Sequence, residues 1–312
     1  MTTLLIIVPQ GLARLWKEPL AKIAPWLKVL VHGVDTYDPK DIDYALGFRP
    51  PVGLFKTLPN IKVIFSLGAG VDGFLSDKEF PKHIPLVRFV DHTLSREMMH
   101  YVAMHTLMFH RMQRQFDRAQ SQKQWMQMFP PRRTEDTHIG ILGLGEIGTM
   151  TGEYLARLDF PVAGWSRTKK NVPNIWSYAG DGELDAFLAQ SDILVCLLPL
   201  TPATHHILNK KTFAQLPKGA YVINVARGGH LAEDDLIAAI DSGHLAGATL
   251  DVFETEPLPP TSPIWTHPKI TVTPHVAAMT YPGVAARNVA DAIAGHMKGA
   301  ALDNVVDLEL GY

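Results

Sequence analysis

Ile139-Gly140-Ile141-Leu142-Gly143-Leu144-Gly145-Glu146-Ile147-Gly148 is the stretch that decides the fold. It opens as a short apolar strand, His138 to Leu142. Gly143, Gly145 and Gly148 then give Gly-x-Gly-x-x-Gly ahead of a helical segment, Met150 to Leu158. Each glycine has a physical task. The first makes a tight turn, the second lets backbone approach a pyrophosphate, and the third permits close helix–strand packing. The helix N-terminus adds N–H groups and a dipole suited to phosphate. A glycine triplet alone is weak, because loops collect glycine. Between a strand and a helix it reads as a dinucleotide-binding turn rather than a merely structural one.

The strand that follows, Val162 to Trp165, bears on which dinucleotide. An NAD site places an acid near this strand's end to hold the ribose hydroxyls. Here the end reads Ser166-Arg167-Thr168-Lys169-Lys170, and no carboxylate occurs from Phe160 to Asn174. A guanidinium, hydroxyls and ammonium groups suit a 2′-phosphate, so NADPH (NADP+) is expected in preference to NADH. The plain alternative is a solvated basic turn. Ser166-x-x-Lys169 also fits a β-lactamase pair, but its companion motifs are absent.

Working outward, short β-rich runs alternate with helical periodicity, the pattern of parallel α/β sheets. The expected strands are Leu4–Val8, Val29–Val31, Tyr44–Phe48, Val63–Ser66 and Leu86–Phe89, then His138–Leu142, Val162–Trp165, Ile193–Leu198, Tyr221–Asn224, Ala248–Asp251 and Ile270–Val272. They make two doubly wound sheets of five or six strands. Residues 94–128 hold seven of the eleven methionines and read as helix, with Met104, Met108 and Met112 at helical spacing. The tail of this helix is expected to be exposed for a partner subunit, although core filling explains its first half equally well. Pro130-Pro131 breaks the chain, and a last helix, Val284–Lys298, returns it to the first domain. The expected division is 1–100 with 284–312 for one domain and 101–283 for the other.

Composition narrows the class. The 312 residues carry 29 basic and 31 acidic side chains, a net charge of −2, and 46% are apolar. Such a balance argues against nucleic acid as the main partner. The single cysteine, Cys196, lies in an apolar run and reads as a core residue in a reducing compartment. No leader pattern or run of about 18 apolar residues appears, so a cytoplasmic protein without a membrane partner is expected. Fourteen histidines raise the question of metal. His100, His105 and His110 fall on different helix faces, His205 and His206 are expected to diverge, and no His-Glu-x-x-His or cysteine cluster exists. No metal is expected. A Gly-x-Ser-x-Gly hydrolase elbow is also missing.

Three islands each follow a strand: Asn224-Val225-Ala226-Arg227-Gly228-Gly229, Leu250-Asp251-Val252-Phe253-Glu254-Thr255-Glu256-Pro257-Leu258 and Thr273-Pro274-His275-Val276-Ala277-Ala278. Ligands in open α/β sheets bind beyond the carboxyl ends of the strands. The loops therefore converge with the glycine turn, carrying Arg227, Glu256 and His275. Singly, these could be a surface charge, a turn acid before proline and a hydrogen-bonded core histidine. Their joint placement points to catalysis.

These islands, with Leu67-Gly68-Ala69-Gly70-Val71-Asp72, give the chain its resemblance to the D-2-hydroxyacid dehydrogenase family, and within it to the glyoxylate/hydroxypyruvate reductase A branch. The resemblance spans essentially the whole chain. It implies a flavodoxin-like substrate domain, a Rossmann nucleotide-binding domain and a cleft between them. His275 is implied as proton donor, with Glu256 favouring the imidazolium and orienting the ring. Arg227 would polarise the ketone and hold the substrate carboxylate, where a planar fork outperforms lysine. Backbone N–H groups at Gly68, Ala69 and Gly70 would assist, in the manner of an anion nest. The cofactor set is Gly143, Gly145, Glu146, Ile147, Gly148, Ser166, Arg167, Thr168, Lys169, Leu198, Pro199, Thr204, Ala226 and Asp251, the last near the nicotinamide ribose and carboxamide.

Two positions depart from the family pattern. Phe48 stands where the branch usually carries tryptophan, and His100 where many relatives carry an acid. Phe48 is the substrate-wall candidate, and Arg49, Leu94, Met98, Trp125 and Tyr281 are further pocket candidates for which core or surface readings serve as well. The expected activity is NADPH-dependent reduction of glyoxylate and hydroxypyruvate to glycolate and D-glycerate by a homodimer. Alternatives are phosphoglycerate, formate or bulkier 2-oxo-acid dehydrogenases. The end at Tyr312, with no added regulatory domain, slightly disfavours the first. From another class, the fold also serves as a dinucleotide-sensing corepressor, since fold alone does not settle function.

Overall fold

A computed structural model of the chain describes residues 1–130 and 132–312, so Pro131 of the expected break lies outside the described residues. Two compact units result, one of residues 1–91 with 280–312 and one of residues 92–279. The first holds β1 (Thr3–Ile7), β2 (Lys28–Val31), β3 (Tyr44–Gly47), β4 (Val63–Ser66) and β5 (Leu86–Val87). They pair in parallel in the order β2-β1-β3-β4-β5, the flavodoxin-like arrangement. Every residue of β1 is buried, as a parallel strand covered on both faces requires.

The chain returns to this unit at its C-terminal end. Helix Pro282–Met297 packs on helix Ala13–Ile23, and the Tyr44 hydroxyl lies 2.9 Å from His296 Nδ1. Further on, Val306 N–H donates to the Leu86 carbonyl at 2.8 Å. The division between units differs from the expected one by a few residues at each crossing. Helix His92–His110 is continuous and packs on helix Glu146–Ala156, so residues 92–100 belong to the second unit. A boundary at 100 would cut through one helical hydrogen-bond ladder.

The second unit holds β6 (Ile139–Leu142), β7 (Val162–Ser166), β8 (Ile175–Ala179), β9 (Ile193–Cys196), β10 (Ala220–Asn224), β11 (Leu245–Leu250) and β12 (Ile270–Val272). Their order is β12-β11-β10-β9-β6-β7-β8, parallel throughout, which is the Rossmann order with one strand added at the β12 edge. Alternation along the strands feeds two cores. Leu142, Leu194, Cys196 and Val222 pack on one face, and Ile139, Ile141, Ile193, Val195 and Ile223 on the other. Cys196 is fully buried, and that burial pushes its thiol up to about 12.

Strand β8 corrects the expected count. Ile175-Trp176-Ser177-Tyr178-Ala179 pairs only with β7, leaves Trp176 exposed, and lacks the apolar run that marks the central strands. The methionine-rich segment is a second correction. It is not one helix over 94–128. Met112 adopts a left-handed φ of +59°, separating His92–His110 from Gln113–Ser121, and residues 124–128 are not helical. Met99 and Met112 are buried, whereas Trp125 and Phe129 are 95% and 89% exposed.

Candidate active site

In the second unit the glycine turn lies at the sheet's switch point, where β6 sits between β9 and β7. Gly143 takes φ +106°, and a Cβ there would lie 2.8 Å from the Leu197 carbonyl oxygen. At Gly148 a Cβ would fall 1.8 Å from the Gly143 carbonyl oxygen, so only glycine lets the helix close on the turn. Gly145, the N-cap of helix Glu146–Ala156, has nothing within 4 Å of its Cβ position. Open space thus meets a helix N-terminus beginning at Glu146 and Ile147, the arrangement a pyrophosphate needs.

The β7 end has a different character. Ser166 is buried and its hydroxyl donates to the Thr168 carbonyl at 2.8 Å, so this hydroxyl shapes the turn. Arg167, Thr168 and Lys169 are exposed, and Lys169 Nζ lies 3.7 Å from Glu183 Oε1. After β9, Leu198 is buried, and Thr204 Oγ1 donates to the Pro199 carbonyl at 2.7 Å while accepting from Thr201 N–H at 2.9 Å. Thr204 therefore holds the shape of the loop bearing Leu198 and Pro199.

β10, β11 and β12 are adjacent, so the loops carrying Arg227, Asp251 to Glu256 and His275 leave neighbouring strand ends. His275 Nδ1 lies 2.9 Å from Glu256 Oε2, and Glu256 Oε1 accepts the Phe253 N–H at 3.1 Å. A carboxylate only accepts, so the proton of this bond resides on Nδ1. His275 itself has φ +56°, and its N–H donates to the Asp251 carbonyl at 2.7 Å.

Asp251 is the brace beneath this turn. It is 1% exposed, and its carboxylate accepts from Thr273 Oγ1 at 2.6 Å, Val276 N–H at 2.9 Å and Ala277 N–H at 2.9 Å. The family resemblance marks this position for the cofactor, and its hydrogen bonds hold the His275 backbone in place. Tyr101 donates its hydroxyl hydrogen to Thr273 Oγ1, and burial pushes its phenol up, keeping it protonated for that bond.

The Arg227 loop is held equally closely. Asn224 Nδ2 donates to the Arg227 carbonyl at 3.1 Å, and Arg227 Nη1 donates to the Ala226 carbonyl at 2.7 Å. A Cβ on Gly228 would sit 1.8 Å from the Phe253 carbonyl carbon, which locks this loop against the one leading to Glu256. The fully buried His230 places Nδ1 3.2 Å from the Arg227 carbonyl and Nε2 3.2 Å from the Pro199 carbonyl. Tyr101, His230 and Thr273 are not among the expected functional residues. Thr273 opens the third island and His230 directly follows the first, which is a local signal, whereas Tyr101 is far from all three in sequence and only the fold brings it to Thr273.

The remaining candidates lie outside the three islands, some on the first unit and some on the second. After β4, Gly68 N–H donates to Ser66 Oγ at 3.2 Å and the Gly68 carbonyl accepts from Phe89 N–H at 3.1 Å, leaving Ala69 and Gly70 half-buried. Phe48 follows β3, with the Arg49 guanidinium carbon 5.3 Å from its ring centre. Tyr281 is half-exposed on the first unit, Leu94 is buried, Met98 packs against a core cluster of the second unit, and Trp125 stands exposed.

One expectation about histidine is overturned. The rings of His205 and His206 do not diverge; their centres are 3.9 Å apart. His206 adopts φ +51°, which folds its ring back beside its neighbour's. With Glu254 they form the one group of three or more potential metal-ligating side chains among the described residues.

Known proteins share this architecture. Residues 103–277 match the family profile described as D-isomer specific 2-hydroxyacid dehydrogenase, NAD binding domain. A D-isomer specific 2-hydroxyacid dehydrogenase from Xanthobacter autotrophicus Py2, solved with NADPH and MES, is 39% identical over 100% of both chains with a TM-score of 0.93. The NADPH-dependent glyoxylate/hydroxypyruvate reductase of Sinorhizobium meliloti, solved with NADP and sulfate, is 37% identical over 100% of both chains with a TM-score of 0.94. A probable 2-hydroxyacid dehydrogenase from Rhizobium etli CFN 42, with NADP, HEPES and L(+)-tartaric acid, is 35% identical over 100% of this chain and 99% of its own, with a TM-score of 0.91. With the profile covering more than half of its length and relatives matching it end to end, this chain belongs to the D-isomer specific 2-hydroxyacid dehydrogenase family and carries its NAD(P)-binding domain.

Proposed function

We propose that the protein reduces glyoxylate and hydroxypyruvate to glycolate and D-glycerate, using NADPH in preference to NADH. The observation that carries the reaction type is the His275–Glu256 pair, 2.9 Å apart on loops leaving adjacent parallel strands. Substrate choice is supported by the 37% identity to the Sinorhizobium meliloti enzyme. Cofactor choice is supported by Arg167, Thr168 and Lys169 at the β7 end, with no carboxylate between Phe160 and Asn174.

The residues fit a dinucleotide. The open Cβ position of Gly145 and the helix N-terminus at Glu146 would hold the diphosphate, and Arg167 with Thr168 and Lys169 would meet a 2′-phosphate. The reduced nicotinamide, when bound, supplies the hydride that goes to the carbonyl carbon. Arg227 binds the substrate carboxylate and polarises the ketone. Its charge is aimed by a backbone that Asn224 and His230 hold. His275 delivers a proton from Nε2 to the carbonyl oxygen, because Glu256 engages Nδ1. A 2-oxo acid thereby gains one hydride on carbon and one proton on oxygen.

We also propose that two copies pair through the segment after Met112, where Trp125, Met128 and Phe129 are exposed, and that the protein works in the cytoplasm. No helix among the described residues is long and apolar enough to cross a membrane. Sedimentation of the wild type beside Trp125→Asp tests the pairing, with a smaller species expected for the variant. The deciding test of function follows NADPH and NADH oxidation against glyoxylate, hydroxypyruvate, pyruvate and phenylpyruvate. Fastest turnover of the first two with NADPH is expected. Turnover of none of the four would remove the assignment.

A further inference from the structure

We infer that His205, His206 and Glu254 form a binding site for a first-row divalent cation of the zinc type, separate from the catalytic residues. One potential ligand atom from each side chain lies within 4.8 Å of the other two. Two imidazoles and a carboxylate are a donor set that zinc accepts, with water completing the shell. Ligand distances of about 2.0–2.2 Å require donors to stand closer together than this. Side-chain rotation alone closes the gap, since His205 and Glu254 are exposed.

A second observation points to a ligand. His206 Nε2 is shielded from solvent yet has no hydrogen-bond partner among the described residues. Its nearest carboxylate oxygen, Glu254 Oε1, is 3.7 Å away, beyond hydrogen-bond reach. A buried polar atom left in this state carries an uncompensated desolvation cost. A cation between the imidazole nitrogen and the carboxylate removes that cost by accepting lone pairs from both.

The surroundings favour positive charge. Glu254 N–H donates to Glu233 Oε1 at 3.3 Å, and Asp234 follows in sequence. Negative charge is already crowded here, and a bound cation relieves it.

The backbone makes the site structurally consequential. His206 N–H donates to the Gly229 carbonyl at 2.9 Å, and Gly228 abuts Phe253. An ion held by His205, His206 and Glu254 thus ties the loop after Pro199 to the loop leading to Glu256. It serves as a stabilising clip, and no chemical step depends on it.

The test is calorimetric titration of zinc chloride into the full chain after chelator treatment and gel filtration, with thermal melting alongside. One site per chain with micromolar affinity and a higher Tm in zinc are expected. Glu254→Gln, at an exposed position, and His206→Asn, which tolerates the left-handed backbone, are each expected to weaken binding by about tenfold or more and to abolish the zinc-dependent rise in Tm. His267→Gln, which alters a different His–Asp pair 3.2 Å apart, is expected to change nothing. Absence of zinc binding to the wild type, or equal binding by wild type, Glu254→Gln and His206→Asn, would overturn the proposal and leave water as the occupant. Turnover of 2-oxo acids is not a readout, so failure here and failure of the functional reading stay distinct.

Discussion

The two ends of the nucleotide-binding unit are built differently. The loops after β10, β11 and β12 are cross-braced by buried groups: Asp251 takes three hydrogen bonds, His230 spans two carbonyls, and Glu256 is held at both oxygens. The turn after β7 is exposed, and its Lys169 makes a surface ion pair with Glu183 at 3.7 Å. Proton transfer demands placement within a fraction of an ångström, which buried hydrogen bonds provide. Recognition of a phosphate tolerates solvated, adjustable charges, at the cost of screening by salt. One end is organised for geometry and the other for charge.

The sharpest way to break this contrast is His275→Ala. Turnover should fall by about 10²–10⁴-fold while NADPH affinity, measured by fluorescence titration, stays within error. A near-normal rate would remove the proton relay altogether. Arg167→Ala probes the other end. It should weaken NADPH binding by about 10–150-fold and leave NADH binding nearly unchanged, with NADPH selectivity declining as salt rises. Equal losses for both cofactors would show that Arg167 supports the fold or the shared adenosine instead.

Asp251→Asn sharpens the comparison from the structural side. An amide replaces one acceptor oxygen with a donor facing an existing donor, so unfolding free energy in urea should drop by about 1–3 kcal/mol, with turnover falling too. Lys169→Ala at the exposed end should leave stability unchanged within about 0.5 kcal/mol.

A further effect, apart from both ends, is expected in acid. His105 is buried beside Thr249, and burial lowers its imidazole to about 4. The unfolded chain binds this proton near pH 6.5, whereas the folded chain binds it only near pH 4. Stability is therefore lost as pH falls through that window, by up to about 1.4 kcal/mol per pH unit from this group, and nothing is lost above it. His105→Gln should flatten the wild-type slope between pH 6.5 and 4 in urea titrations. Parallel slopes would assign the acid sensitivity to other groups.

Much of the molecule is legible in local sequence. The central strands announce themselves as apolar runs, the glycine turn by spacing, and Arg227, Glu256 and His275 by following strand ends. β8 is harder to read, because an edge strand with one neighbour needs no apolar run. The helix break at Met112 is hidden as well, because the methionine spacing continues through the turn.

What the sequence alone determined is the α/β class and the dinucleotide turn, and it singled out the side chains proposed to react, because turn chemistry and periodicity act over a few residues. What only the tertiary structure decided is who holds whom. Tyr101 reaches Thr273 across 172 residues, and His230 reaches Pro199 across 31. His206 lies 3.7 Å from Glu254. Such pairs depend on the order in which strands assemble into the sheet, and that order is set by packing of the whole unit rather than by any one segment.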